Sequence, residues 1–362
     1  MTGAMNMQHG PGSPIRRASN MARASLIAAA LMLATALATH ADAQSPAEFY
    51  KGRRMTLLTA ASPGGGYDQY ARLLALHMPR HIPGEPTIIV QNLTGAEGLR
   101  AANYLNNIAP QDGSVIGGLS RNAGLVRIYD FDKSAVQFDP QKFHWLGSPQ
   151  QEIGLVIIHG KAGARTAADL KTKELTLSST ASNSPTSIYS RMLNATLGTK
   201  LRSVEGYQGS QAALLALERH EVDGHISGGS SAAFRARIMP WIEKGTAHIV
   251  LQMGMKRDHA FPNVPTVLEL LHAPADRALF EIGFIEQVMG RPFMLAPKVP
   301  AERVAVLRRA FDATMKDKEF LAHATRERME IDPVDGVTIN ELIDKAHAAA
   351  PEILARLRGL IK

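Results

Sequence analysis

Residues 55–72 constrain the chain most: a short apolar run breaks into Pro63-Gly64-Gly65-Gly66, and Asp68 then opens a stretch with helical spacing. That order reads as strand, glycine loop and helix N-terminus. Glycines leave backbone N–H groups uncovered and let another molecule approach the main chain. The first amides of a helix lack intrahelical partners, and the helix dipole adds partial positive charge. A small anion suits such a place. A tight turn with Asp68 as N-cap is the plainer alternative, but three consecutive glycines exceed what a turn requires. The cradle reading sets a ligand against the amides of Gly64, Gly65 and Gly66, with Gly65 the position where a side chain would block it.

Beyond residue 44 the pattern alternates short apolar strands with amphipathic helices, which is the α/β pattern. Strands are expected at 55–60, 88–92, 114–119, 155–159, 175–178, 201–204, 248–252 and 292–295. Helices are expected at 68–77, 99–108, 186–197, 210–219, 232–243, 301–316 and 339–347. The length exceeds one ordinary α/β domain, yet no segment resembles a flexible linker. Two crossings between domains, near 147–154 and 248–254, account for both observations. They predict one lobe from 45–150 plus 252–362 and a second from 151–251.

The N-terminus reads as an export leader. Arg16, Arg17 and Arg23 precede an apolar run over 26–37, and Ala41-Asp42-Ala43 supplies a small-residue cleavage site. The run is short for a membrane span, so residues 1–43 are expected to be a cleaved signal peptide. Arg16-Arg17 is a twin-arginine pair, but the residues after it are too polar for that route. Residues 1–43 hold three arginines and one aspartate, so the mature chain carries 37 Lys+Arg against 32 Asp+Glu, a net +5. The excess is spread out, without the basic blocks or interleaved aromatics of a nucleic-acid binder. It suits long-range attraction of anions, and a solvated surface explains it equally. The chain has no cysteine, so neither disulfides nor a lipidated cysteine is available. The expected location is the periplasm.

Other segments carry candidate chemistry. The Pro63–Asp68 loop lacks the ending of a nucleotide-binding P-loop. At Gln91-Asn92-Leu93-Thr94-Gly95-Ala96-Glu97-Gly98 a second strand meets a helix through glycines, and turn and cradle fit equally well. Ser178-Ser179-Thr180-Ala181-Ser182-Asn183-Ser184 is a hydroxyl-rich strand-to-helix loop whose neutral donors suit a carboxylate or phosphate. Gly206-Tyr207-Gln208-Gly209-Ser210 precedes another helix, and Arg121-Asn122 after the strand at 114–119 offers a charged contact. Enzyme signatures fail. His220 and His225 are not spaced for one helix face, Pro79 spoils the alignment of His77 with His81, and neither a G-x-S-x-G elbow nor a cysteine nucleophile occurs. No catalytic residue, metal site or cofactor is expected.

Eight segments in order resemble the periplasmic solute-binding receptors of tripartite tricarboxylate transporters, the Bug family. They begin with Ser62-Pro63-Gly64-Gly65-Gly66-Tyr67-Asp68 and the segment 91–98, then Ala109-Pro110-Gln111-Asp112-Gly113. Next come Gly206-Tyr207-Gln208-Gly209-Ser210 and Glu218-Arg219-His220-Glu221-Val222-Asp223-Gly224. Phe261-Pro262-Asn263-Val264-Pro265-Thr266, Ala296-Pro297-Lys298-Val299-Pro300 and Asp332-Pro333-Val334-Asp335-Gly336 close the series. The resemblance spans residues 47–361. It implies an α/β, two-lobed periplasmic binding protein (Venus flytrap, type II-like) with two crossover strands. It further implies a receptor, not an enzyme, that is monomeric and delivers a small carboxylate to membrane permease subunits. The implied ligand contacts are Ser62, Pro63, Gly64, Gly65, Gly66, Tyr67 and Asp68 in the first lobe. In the second they are Ser179, Thr180, Ala181, Ser182 and Asn183, helped by Tyr207 and Gly209. Arg121 and Asn122 stand where the family usually has small polar residues. Asn92-Leu93-Thr94-Gly95 replaces a commoner Asn-Arg/Lys-Pro-Gly run, and the loop at 180–185 is not glycine-rich. A sensor handing its liganded form to a membrane kinase, and an enzyme on the same scaffold, are the rival readings.

Overall fold

The computed structural model describes residues 45–129, 135–182, 184–208, 210–229 and 232–361. The expected leader, Asn183 and Gly209 lie outside these. Eleven strands follow in chain order: β1 Arg54–Thr59, β2 Thr87–Asn92, β3 Val115–Gly118, β4 His144–Ser148, β5 Gly154–His159, β6 Glu174–Ser178, β7 Lys200–Val204, β8 Gly224–Ile226, β9 Ala247–Met253, β10 Phe293–Leu295 and β11 Val334–Asp335. They form two sheets, one of six strands in the order β11-β4-β10-β3-β1-β2 and one of five in the order β7-β6-β8-β5-β9. This is a two-lobed periplasmic-binding-protein architecture.

Sequence explains the centres of both sheets. In the first, β1 pairs in parallel with β2 and β3, and the apolar Met55, Leu57 and Leu58 are buried. Strand β10 enters antiparallel between β3 and β4 although it comes from much later in the chain. In the second, β5 is buried along its whole length, as expected of an apolar run between two neighbours, and pairs antiparallel with β8 and β9. The first sheet's strands end at Ser148 and resume at Phe293, and the second sheet occupies the interval.

The eight expected strands occur within one residue of their bounds. The short strands β4, β8 and β11 were not anticipated, nor were the helices Pro274–Met289, Lys318–Arg326 and Pro351–Ile361. Helix Pro274–Met289 hides because eight of its sixteen residues are buried, so it shows no single apolar stripe. It lies beside both connections between the sheets. The Glu152 amide donates to the Gln287 carbonyl at 2.9 Å. Oriented to satisfy its neighbours, the Gln287 side-chain nitrogen donates to the carbonyls of Glu152 (3.1 Å) and Met253 (2.7 Å), and its oxygen accepts from the Tyr189 hydroxyl. One buried side chain therefore clasps both connections.

The far edge of the first sheet is packed tightly against backbone. Gly336 begins helix Gly336–His347, and a Cβ there would lie 2.0 Å from the Trp145 carbonyl oxygen. Gly336→Ala should therefore cost about 3 kcal/mol through overpacking. Gly359, in the last helix, has nothing within 4 Å of its Cβ position. Gly359→Ala should instead stabilise by up to about 1 kcal/mol through helix propensity. Urea denaturation of the two variants checks both signs.

Candidate functional site

The glycine loop after β1 is partly self-satisfied. Gly64 takes a left-handed φ of +79°, while Gly65 has φ −70° and is itself the helix N-cap. The conformational need for glycine thus falls on Gly64 and not on Gly65. The Gly64 amide donates to Asp68 Oδ2 at 2.8 Å and the Gly65 amide to the Ser62 carbonyl at 3.1 Å. The first intrahelical bond runs from the Gln69 amide to the Gly65 carbonyl. The amides left to a ligand are those of Gly66, Tyr67 and Asp68, the first turn of helix Gly66–His77.

Asp68 is not the cap. It is the third helical residue, 1% exposed, and it accepts from Gly64, from Arg72 Nε (2.8 Å) and from Asn92 Nδ2 (2.7 Å). Asn92 also donates to the Ala61 carbonyl at 2.8 Å. The carboxylate therefore pins the loop to β2, which explains an Asn at the end of that strand.

Two arginines meet a single carboxylate beside this helix end. Arg291 precedes β10, and its Nη2 lies 2.8 Å from Glu152 Oε1. Its guanidinium sits 4.5 Å over the Tyr67 ring, and its Nη2 is 3.8 Å from the place of a Cβ on Gly66. Its Nε is buried without a hydrogen-bond partner among the described residues. Arg121 follows β3; its Nη1 pairs with Glu152 Oε2 and reaches the Gly228 carbonyl at 3.4 Å, and its amide donates to the Tyr67 hydroxyl at 3.2 Å. Burial works against the Arg121 charge, and Glu152, Glu286, Tyr67 and Tyr189 together more than restore it, raising its pKa. Glu152 is 8% exposed and lies on the first connection between the sheets. Two cations and a helix N-terminus thus converge on this one carboxylate, with Glu286 a second acid close enough to act on Arg121.

On one side of this cluster is a polar cavity of about 280 Å³. Glu152 and Arg291 border it with Ser210, His225, Ser227 and Arg237 from the second sheet's elements. His225 is buried, its Nδ1 2.9 Å from the Ser178 carbonyl, and burial lowers its pKa, so it is neutral at physiological pH.

The expected contacts divide unevenly. Tyr67, Arg121 and Asn122 line a cavity between the sheets' elements. Ser62, Pro63 and Gly64 lie exposed on the outer part of the loop. Ser179 is buried and bonds within its own loop, to the Ala181 carbonyl (3.1 Å) and to the hydroxyls of Ser184 (2.5 Å) and Ser187 (2.8 Å). Thr180 and Ala181 are half-buried and Ser182 is exposed. Ser182 presents its carbonyl to Arg191 Nη2 at 2.8 Å. The Tyr207 amide donates to the Ser179 carbonyl, and its ring packs on the second sheet's smaller core. Sequence reading missed Glu152, Arg291, His225 and Arg237. Nothing local distinguishes Arg291 from a surface arginine; only the pairing of three distant segments does. Among the described residues no group of acidic and histidine side chains could hold a metal ion, and no helix is long and apolar enough to cross a membrane.

No family model matches the sequence. A relative, the UPF0065 protein in the gbd 5′ region of Cupriavidus necator, is 26% identical over 264 residues, 71% of this chain and 75% of that one. Among solved structures, a TctC solute-binding protein from Polaromonas matches with a TM-score of 0.67 at 18% identity, covering 86% of this chain and 99% of that one. The periplasmic binding protein BugD matches with 0.55 at 18% identity, covering 86% and 98%. R. palustris Rpa4515, solved with adipate, matches with 0.56 at 19% identity, covering 85% and 97%. The resemblance to TctC and Bug receptors read from the sequence thus holds in three dimensions, and these likenesses carry the fold.

Asp68 provides a test of the loop. Asp68→Ala leaves three donors unpaired and should cost about 2 kcal/mol or more, beyond the loss of a simple cap. Burial alone would raise the Asp68 pKa, but hydrogen bonds from Arg72, Asn92 and Gly64 hold it below the usual carboxylate value. A carboxylate with a lowered folded pKa stabilises above its unfolded value, about 4, and loses that contribution as pH falls through the folded value. The stability gap between wild type and Asp68→Ala should therefore be full at neutral pH and shrink below about pH 4. Urea titrations at pH 7, 5 and 3 measure it.

Proposed function

We propose that this chain, built on the fold of the TctC and Bug periplasmic receptors, is an extracytoplasmic solute-binding protein that captures a small organic carboxylate. It would act in the periplasm as a monomer without cofactor, handing its ligand to the membrane permease subunits of a tripartite tricarboxylate transporter. The observation that carries this reading is the convergence of half-buried Arg121 and Arg291, with the Glu152 carboxylate between them, at the N-terminus of helix Gly66–His77. An ion pair at about 4 Å in surroundings of effective dielectric about 20 is worth roughly 4 kcal/mol, against at most about 1 for an exposed pair. The unpartnered Arg291 Nε marks unused donor capacity. Solved receptors of this fold with malate and with adipate bound support the ligand class.

In this reading residues 151–251 form one lobe and residues 45–150 with 252–362 the other. The first lobe grips the anion through the amides of Gly66, Tyr67 and Asp68 and through Arg121, Asn122 and Arg291. The second lobe completes the grip from the 179–183 loop and the 207–210 segment. Contacts to both lobes favour the closed state, and closure creates the surface that a permease would recognise.

Thermal unfolding with a panel of carboxylates, sulfonates, amides and sugars tests this. A carboxylate at 100 times its dissociation constant should add about 2.7 kcal/mol and shrink the radius of gyration measured by X-ray scattering. Arg291→Met removes one positive charge and leaves Glu152 paired with Arg121, so no buried anion is stranded, and it should lose that stabilisation. Gly66→Val, which points a branched side chain at Arg291, should lose it too, while Gly65→Val should weaken binding less. Sugars that stabilise the wild type while carboxylates do not would sink the proposal.

A further inference from the structure

Arg121 borders a second cavity, of about 200 Å³, that the residues read from the sequence do not explain. The first lobe contributes Tyr67 and Asn122 at one end. Ile188 and Met192 of helix Pro185–Leu197 form one apolar wall, and Leu357 and Ile361 of the last helix form another. The volume holds a ligand of about ten non-hydrogen atoms. Glu286 also borders it, on the same face of helix Pro274–Met289 as Gly283, one turn earlier. A Cβ on Gly283 would already touch the Met192 Cε at 3.5 Å, so glycine there keeps the cavity open.

Glu286 has no ion pair within 4 Å among the described residues. Burial raises its pKa; Arg121 opposes the rise and Glu152 adds to it. The cavity wall thus carries one cation, Arg121, one acid, Glu286, which interacts with it, and a mostly apolar and aromatic remainder. A ligand carboxylate fits beside Arg121. A second carboxylate within the same cavity would meet Glu286 in low-dielectric surroundings, where like charges interact strongly.

We infer that the cavity selects monocarboxylates with an apolar body and an uncharged far end, and that Glu286 rejects chain-terminal dicarboxylates. The inference rests on the carboxylate reading above and narrows it. A terminal hydroxyl is compatible, because Glu286 accepts its proton when ionised and can donate when neutral. A fold neighbour was solved with adipate, the kind of acid this cavity would reject. Helix Pro351–Ile361, which supplies Leu357 and Ile361, is held in place from the second lobe: Arg191 Nε donates to the Leu360 carbonyl at 2.5 Å. The apolar wall is therefore a fixed part of the cavity.

The test compares hexanoate, 6-hydroxyhexanoate and adipate, which share one chain length, by calorimetry on the mature protein. Wild type should bind the two monocarboxylates at least about tenfold more tightly than adipate, a difference of about 1.4 kcal/mol. Glu286→Gln, which keeps the shape and removes the charge, should bring adipate to within about threefold of hexanoate. Gly283→Ile, which fills the cavity, should weaken hexanoate at least about tenfold. Circular dichroism of each variant establishes that it is folded. Adipate bound by wild type as tightly as hexanoate overturns the role of Glu286 and leaves the receptor standing. An unchanged ratio in folded Glu286→Gln does the same. Failure of all three acids to bind wild type, with another solute binding instead, overturns the carboxylate reading as well.

Discussion

Glu152 is the contact on which the centre of the molecule depends. It sits on the stretch leading out of the first sheet and receives Arg121 from the end of β3 and Arg291 from the start of β10. Three segments far apart in sequence are tied at one carboxylate. Burying such charges costs several kcal/mol per ion before the attraction returns it, and an apolar replacement of equal shape is often as stable. Stability alone does not explain why three charged groups occupy this place. The anion site proposed above would. The cluster holds two guanidinium groups beside the cavities between the sheets, with Glu152 in contact with both.

Gln287 performs a related task without charge. Its amide reaches the carbonyls of Glu152 and Met253, one on each connection, and the hydroxyl of Tyr189 from the second sheet's side. Any rotation of one lobe against the other must turn about these two connections. The last helix adds a strap: Arg358 Nε donates to the Ile128 carbonyl at 2.8 Å, and Arg191 holds the helix end from the opposite lobe. These buried polar groups act beside an apolar core that runs continuously through elements of both sheets, with Tyr189 packed on Phe284. Polar contacts of this kind can be exchanged with a ligand at little net cost.

Much of the fold was legible because its strands are β-branched, apolar and bounded by glycine or proline. β1, β5 and β9 announce themselves in that way. β4 did not, since His144, Gly147 and Ser148 interrupt its apolar pattern, and Gly147 takes a φ of +148°. Helix Pro274–Met289 was missed because burial on several faces erases periodicity. The candidate site divides along the same line. The glycine loop and Arg121 could be found because each belongs to a local pattern of strand followed by turn. Arg291 and Glu152 could not, because what sets them apart is burial and mutual contact, and neither quantity exists before the chain is folded. Asp68 shows a third case: it was found at the correct position, and its role as a cap proved to be that of a pin between the loop and β2.

The insertion of β10 between β3 and β4 has a consequence for how the chain reaches this state. The five-stranded sheet is drawn from one continuous stretch and needs no later residues to pair its strands. The six-stranded sheet cannot close until residues beyond 292 arrive. A chain delivered from its N-terminus thus completes its second half-molecule first and holds β3 and β4 apart until the tail is threaded between them. The loop-closure entropy of that long excursion falls on a late step. During that interval the facing edges of β3 and β4 are unsatisfied, and they are the edges most open to mispairing with a neighbouring copy.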